Sequence, residues 1–283
     1  MARTILVPLD GSPAAETILP EVARVFPAGG KVHLIRLCPS KSDREAAEYV
    51  ARVRRRAFPG SSGLDLVRPG KPADGILRAA LEKNIDLIAM TTHARRGLAR
   101  QMLGSVAAEV VRKSQLPVLL TRPDTRAPGK SIRRILVPID GARAPTDLLE
   151  TVKFLCPEGR AEVLLLRVIP PVSDPAPQWA SGASFSELAS PSHRLQELAD
   201  KLEDEGYYAW PITSAGRPED EILGHCTRLD VDLIAMSTHG RSGLERLLEG
   251  SVSEKVLSRS PVAVLLQKPL VIHPAVPAGE VGP

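Results

Sequence analysis

Apolar residues fall into two kinds of run along this chain. Short runs that are apolar at nearly every position, Ile5–Leu9, Val32–Leu37, Leu64–Val67, Asp86–Met90 and Pro117–Thr121, predict strands buried on both faces. Between them apolar residues recur three and four apart, predicting helices over Glu16–Phe26 (Ile18, Leu19, Val22, Val25, Phe26), Ala46–Arg56, Gly75–Lys83 and Ser105–Lys113. Pro20 has to lie in the first turn of its helix or kink it. Pro72 costs little near a helix start, where its missing N–H would have lacked a partner anyway. The same order then returns. Strands are expected at Ile135–Ile139, Glu162–Ile169, Trp210–Thr213, Asp232–Met236 and Val262–Gln267, and helices at Asp147–Leu155, Leu195–Glu205, Glu221–Leu229 and Val252–Ser260. Strands alternating with helices imply a parallel sheet covered on both faces.

The return is an internal repeat. Arg3-Thr4-Ile5-Leu6-Val7-Pro8-Leu9-Asp10-Gly11 reappears as Arg133-Arg134-Ile135-Leu136-Val137-Pro138-Ile139-Asp140-Gly141, an offset of 130 (Asp10 to Asp140). Later landmarks keep an offset of 146: Gly70 with Gly216, Met90 with Met236, His93 with His239, Gly104 with Gly250. The second copy has therefore gained about sixteen residues, mostly within Pro171–His193, a Pro-, Ser- and Ala-rich stretch expected to be a mobile surface loop. Two domains are expected, 1–122 and 132–268, joined by a linker at 123–131 and followed by an unstructured tail at 269–283.

Composition narrows the function. With 283 residues, 43% of them hydrophobic, the chain can bury a large core. No apolar run approaches membrane-spanning length, and the N-terminus enters Thr4-Ile5-Leu6-Val7 without a signal-peptide pattern, so a cytoplasmic protein without a membrane partner is expected. Cys38, Cys156 and Cys226 are scattered, without CxxC or metal-ligand spacing, and read as buried small side chains in a reducing compartment. A net charge of +4 raises the question of nucleic acid, but aromatics are only 3% and basic residues are interspersed with acidic ones, so none is expected.

The candidate chemistry sits after the fourth strand of each copy. Ala89-Met90-Thr91-Thr92-His93-Ala94-Arg95-Arg96-Gly97 leads to Gly104-Ser105-Val106, and Ala235-Met236-Ser237-Thr238-His239-Gly240-Arg241-Ser242-Gly243 leads to Gly250-Ser251-Val252-Ser253. A strand ending in a small, hydroxyl-rich, basic loop before a helix N-terminus gathers free N–H groups and the positive end of a helix dipole, a seat for phosphate. His93 and His239 have arginines rather than carboxylates beside them and no second ligand at metal spacing, so contact with phosphate or backbone is expected of them. Neither GxxxxGK[ST] nor GxSxG occurs, so nothing requires turnover.

These ordered motifs, with Ile-Leu-Val-Pro-Ile-Asp-Gly at the start and Gly-Arg-Pro-Glu-Asp before a helix, resemble the universal stress protein family in its tandem form. The resemblance implies an α/β fold of two Rossmann-like (adenine nucleotide alpha hydrolase-like) domains. Each would be a five-stranded parallel sheet of order 3-2-1-4-5, with ATP or AMP, with or without Mg2+, at the strand-order reversal. The nucleotide-binding pattern of that family is Gly, two residues, Gly, nine residues, then Gly-Ser or Gly-Thr. Copy two departs from it at Ser237 but keeps Gly240 and Gly250-Ser251; copy one has Thr91 and Ala94 at the early positions and keeps Gly104-Ser105. A Cβ at either early position is expected to obstruct, which makes copy two the better site.

In copy two, the N–H groups of Gly250, Ser251 and Val252 and the hydroxyls of Ser251 and Ser253 would hold phosphate, with Gly240 and Arg241 closing the loop. By resemblance, Pro138 and Asp140 lie beside ribose or adenine, Val168 meets the base and Met236 forms the wall. The copy-one counterparts are Pro8, Asp10, Leu37, Met90, Gly104, Ser105 and Val106. Singly, these residues have plain structural explanations: the aspartates cap turns, the methionines fill the core, the glycines admit a turn. The leading function is a nucleotide-binding stress-response regulator with little or no turnover. The alternatives are an interaction module without nucleotide and a slow ATPase with Asp140 on the metal. The resemblance also implies pairing through the fifth strand, here between the two copies as an intramolecular pseudo-dimer that can form a homodimer.

Overall fold

The computed structural model describes residues 3–25, 30–38, 44–92, 103–140, 146–156, 161–170, 191–238 and 252–269. Copy one runs β1 (Thr4–Pro8), a 3-10 turn (Ala15–Ile18), α1 (Leu19–Val25), β2 (Lys31–Cys38), α2 (Arg44–Ala57), β3 (Asp65–Pro69), α3 (Pro72–Glu82), β4 (Leu87–Thr91), α4 (Ser105–Lys113) and β5 (Val118–Thr121). Copy two runs β6 (Arg134–Pro138), α5 (Thr146–Leu155), β7 (Glu162–Ile169), α6 (Pro191–Asp204), β8 (Tyr208–Ala215), α7 (Pro218–Arg228), β9 (Leu233–Ser237), α8 (Val252–Arg259) and β10 (Ala263–Gln267).

Every element expected from the pattern is present, with shifted ends. The expected helix Glu16–Phe26 divides at Pro20: a 3-10 turn precedes it, and Pro20 becomes the second residue of α1, where it has no ladder bond to break. Helix α6 begins at Pro191 rather than Leu195, so part of the expected surface loop is helical. The rest of that loop, 171–190, and the tail from 270 onward lie outside the described residues.

All ten strands form one sheet of order β3-β2-β1-β4-β5-β10-β9-β6-β7-β8, so each copy has the expected order 3-2-1-4-5. Within each copy the pairs are parallel. Alternation sends successive strand residues to opposite layers: in β4, Leu87 and Ala89 pack toward α1 and α2, and Ile88 and Met90 toward α3 and α4. Helices α5 and α6 extend the first layer, and α7 and α8 the second, so each core layer is continuous through both copies. The aspartate that opens each fourth strand ties it to the first: Asp86 Oδ2 accepts from Thr4 N at 2.8 Å, and Asp232 Oδ2 from Arg133 N and Arg134 N at 2.8 and 3.1 Å.

The copies meet at β5 and β10, which pair antiparallel with Val118 opposite Leu266, Leu119 opposite Leu265 and Leu120 opposite Val264. Leu119 and Leu265 are counterparts in the repeat, which sets a local twofold axis on that pair. The flanks of the axis differ. On one side the Arg24 guanidinium, its side chain 2% exposed, reaches Glu21 at 2.5 Å and the Asp232 carbonyl at 3.1 Å. On the other, Arg3 stacks 4.3 Å from the ring of Phe154, the counterpart of Arg24. The linker lies on copy two: Arg126 N donates to the Pro261 carbonyl at 2.8 Å, and its guanidinium reaches Asp230 at 2.9 Å.

Candidate functional site

The ladder between the first and fourth strands is short in both copies. β1 and β4 pair only at Ile5–Leu87 and Leu6–Ile88, and β6 and β9 only at Ile135–Leu233 and Leu136–Ile234. Beyond those pairs the strands follow their other neighbours. β1 stays with β2 through Pro8–Ile35, and Leu9 N donates to the Ile35 carbonyl at 2.8 Å; β4 stays with β5 through Thr91–Thr121, and Thr92 N donates to the Thr121 carbonyl at 2.8 Å. Copy two repeats this with Ile139 N to Leu166 O at 2.8 Å and Thr238 N to Gln267 O at 2.9 Å. The backbones part at the carboxyl end, where the strand order reverses and an open α/β sheet offers its crevice.

Around the copy-one crevice stand Pro8 at the end of β1, Asp10 just beyond it, Leu37 on β2 and the start of α4. Asp10 is exposed, and its Oδ1 accepts from Ser12 N at 2.8 Å while Ser12 Oγ accepts from Ala15 N at 3.1 Å, so the carboxylate does hold a turn. Gly11 sits in that turn at φ +90°, and a Cβ there would come within 3.0 Å of the Arg36 guanidinium. Arg36, which also lies over the Tyr49 ring at 5.0 Å, is a cation beside the crevice that the sequence reading passed over. The signal available was an arginine immediately before Leu37 and, as Arg167, before Val168. Burial first, then the Glu16 carboxylate, push the Tyr49 phenol well above its ordinary value.

Gly104 is the N-cap of α4 at φ −58°, ψ 145°, a conformation open to any residue. The turn itself does not demand glycine here, and the missing side chain leaves the helix start open to a ligand's approach. Ser105 is exposed and Val106 half-buried at the first turn, whose N–H groups have no partner within the helix.

Met90 and Met236 belong to the α3–α4 and α7–α8 core layer, at 6% and 5% exposure, so most of each side chain fills the core. Leu37 is half-buried against α3, where a Cβ on Gly75 would fall 2.4 Å from its Cδ1. Thr91 is buried: its hydroxyl lies 3.1 Å from both the Thr17 and Thr121 hydroxyls, a network on the α1 side. In copy two, Pro138, Asp140 and Val168 occupy the matching strand ends, and Val252 and Ser253 open α8, both half-buried. Gly240, Arg241, Gly250 and Ser251, with His93, Ala94 and His239, lie outside the described residues.

Cys38 and Cys226 are buried and Cys156 is half-buried, and none is in a disulfide; burial pushes the thiols of Cys156 and Cys226 up to about 11, so neither is a ready nucleophile. No helix among the described residues is long and apolar enough to cross a membrane.

Comparison with known proteins gives a consistent picture. The model of the Universal stress protein family matches residues 1–122 and again 131–268. A universal stress protein of Methanocaldococcus jannaschii is 30% identical over 141 residues, 48% of this chain and 82% of that one. Among solved structures, a universal stress protein from Archaeoglobus fulgidus aligns with TM-score 0.67 at 21% identity, covering 94% of this chain and 96% of that chain, a likeness of fold through both copies. A universal stress protein solved in complex with cAMP aligns with 43% of this chain and 98% of its own, at 22% identity and TM-score 0.36.

Proposed function

The chain belongs to the universal stress protein family, with two copies of the family's domain in tandem, and from that premise we propose that it is an adenine-nucleotide-binding regulator. It takes ATP or AMP at the strand-order reversal, with little or no turnover. The observation that carries this reading is the parting of the first and fourth strands in both copies, which in copy one lies beside a helix capped by a glycine with ordinary φ and ψ. A phosphate approaching that helix start would meet unpaired N–H groups and the positive end of the dipole. Leu37 or Val168 would meet the base, and Asp10 or Asp140 the ribose. Copy two is the stronger seat because it keeps Gly240. Thr91 does not close copy one, since its side chain is buried in a threonine network; Ala94 is the substitution there left to weigh against binding. Mg2+ would arrive on the phosphates, with Asp140 as the carboxylate proposed to meet it in copy two.

Isothermal titration of nucleotide-stripped protein with ATP and Mg2+ tests this. Saturable micromolar binding is expected, with the share taken by cleft two lost in Gly250→Ala with Ser251→Ala. No heat, together with an unchanged melting temperature at millimolar ATP, would leave a fold used for association alone.

A further inference from the structure

We propose that the two clefts are cross-wired: the residue leaving the fifth strand of each copy holds the far end of the other copy's phosphate-seat helix. This rests on the nucleotide reading above. Arg122 follows β5; its Nε and Nη2 pair with the Asp124 carboxylate, which fixes the guanidinium so that its Nη1 donates to the Ser258 carbonyl in the last turn of α8. Lys268 follows β10, and its Nζ donates to the Arg112 carbonyl in the last turn of α4. Arg122 and Lys268 are separated by 146 residues, as are Arg112 and Ser258, the offset of Met90 and Met236. The contact is therefore reciprocal, as an isologous interface requires. Lys268 is only 6% exposed, an ammonium held in the interior where a flexible surface lysine would otherwise stay in water.

Each of these residues is also tied to its own cleft. The carbonyl of Thr121, the residue before Arg122, accepts from Thr92 N at 2.8 Å and Thr92 Oγ1 at 3.2 Å. The carbonyl of Gln267, before Lys268, accepts from Thr238 N at 2.9 Å and Thr238 Oγ1 at 3.4 Å. Thr92 and Thr238 lead directly into the motif loops at His93 and His239. A path of covalent and hydrogen bonds thus runs from the loop of copy one through Thr92, Thr121 and Arg122 to α8, and its mirror runs from copy two to α4.

Two physical effects act along it. A cation at a helix C-terminus and an anion at its N-terminus stabilise the same dipole. A helix of two turns also moves as one body, so fixing its last carbonyls fixes its first N–H groups. Each cation thereby pre-organises the other copy's phosphate seat.

The test uses the full chain, MgATP as probe, and backgrounds with one cleft closed by a carboxylate at its phosphate seat, Gly104→Glu or Gly250→Glu. In the Gly104→Glu background, Arg122→Met is expected to weaken binding at cleft two by roughly three- to ten-fold. In the Gly250→Glu background the same substitution leaves cleft one unchanged. Lys268→Met should give the mirror pattern. Arg122→Lys and Lys268→Arg should restore wild-type affinity, since each copy already uses the other's residue type. A loss in the substituted copy's own cleft, in both equally, or in neither would overturn the proposal. Should wild-type protein take up no MgATP, the nucleotide reading fails separately, and hydrogen exchange without ligand decides the wiring. Arg122→Met should then speed exchange in α8 and not α4, and Lys268→Met in α4 and not α8; equal or absent changes would overturn it.

Discussion

Thr91 and Gly104 show how far a residue's identity can mislead without its surroundings. A threonine where the family pattern has glycine suggested obstruction, yet its side chain points into the layer under α1, because β4 alternates and position 91 follows Ala89 onto that face. Gly104 looked like a turn residue and has an ordinary φ. The buried His33 and the half-buried His225 carry a prediction at this scale. Burial first, with the charge of Arg54 next, lowers the pKa of His33; burial first, then Arg228, lowers that of His225, against a smaller opposing pull from Glu221. Their folded pKa values lie below that of free imidazole, about 6.5, so in the window between the two the unfolded chain binds more protons and stability rises with pH. Acidification from pH 7 toward 5 should therefore destabilise the protein, by at most about 1.4 kcal/mol per pH unit for each imidazole. Glu21 acts in the opposite sense: burial raises its folded pKa above the model-compound 4.5, so its share of stability grows as pH falls through that window. Denaturant midpoints measured against pH check this. His33→Leu with His225→Leu should flatten the fall above pH 5, and an unchanged slope would contradict the assignment.

Among elements, the strands and helices were readable because their periods are local, and the ends moved where proline or a neighbour decided them, as at Pro20 and Pro191. The outer edges are built less visibly. At β3, Val32 N donates to Ser62 O at 3.0 Å and Leu34 N to Leu64 O at 2.9 Å, and Gly63 between them has φ +153° with its absent Cβ 1.9 Å from the Val32 carbonyl. Gly63→Ala must push β3 off β2, so a loss of about 2–4 kcal/mol is expected in urea unfolding. A variant as stable as wild type would mean that this edge is not held in that register. At β8, Gly216 N donates inward to Ile169 O at 2.9 Å, so along a regular parallel ladder the even-numbered residues face β7 and Pro211 faces out. The missing N–H therefore costs the ladder nothing and interrupts the outward row of donors, a guard against a further strand adding there.

In the molecule as a whole, the repeat offset announced two copies, but their contacts pair residues more than a hundred positions apart that no local pattern links. Arg24 with Asp232 and Arg3 with Phe154 could be seen only once the sheet had closed. Because both core layers run through the seam, the halves should not need the linker to stay together. A protease site placed between Gly129 and Lys130 and cut in the folded protein should leave the two fragments co-eluting on size exclusion. Their separation without denaturant would contradict a shared core. The antiparallel seam also has a meaning for descent. Two identical subunits meeting on a twofold axis must accept every substitution twice, once on each side of the axis. Here the axis runs through Leu119 and Leu265 inside one chain, and each side can change alone. Arginine could settle at 24 while phenylalanine took 154, and alanine could stand at 94 while glycine stood at 240. Within one chain the geometry of a pair is kept while its halves need not match.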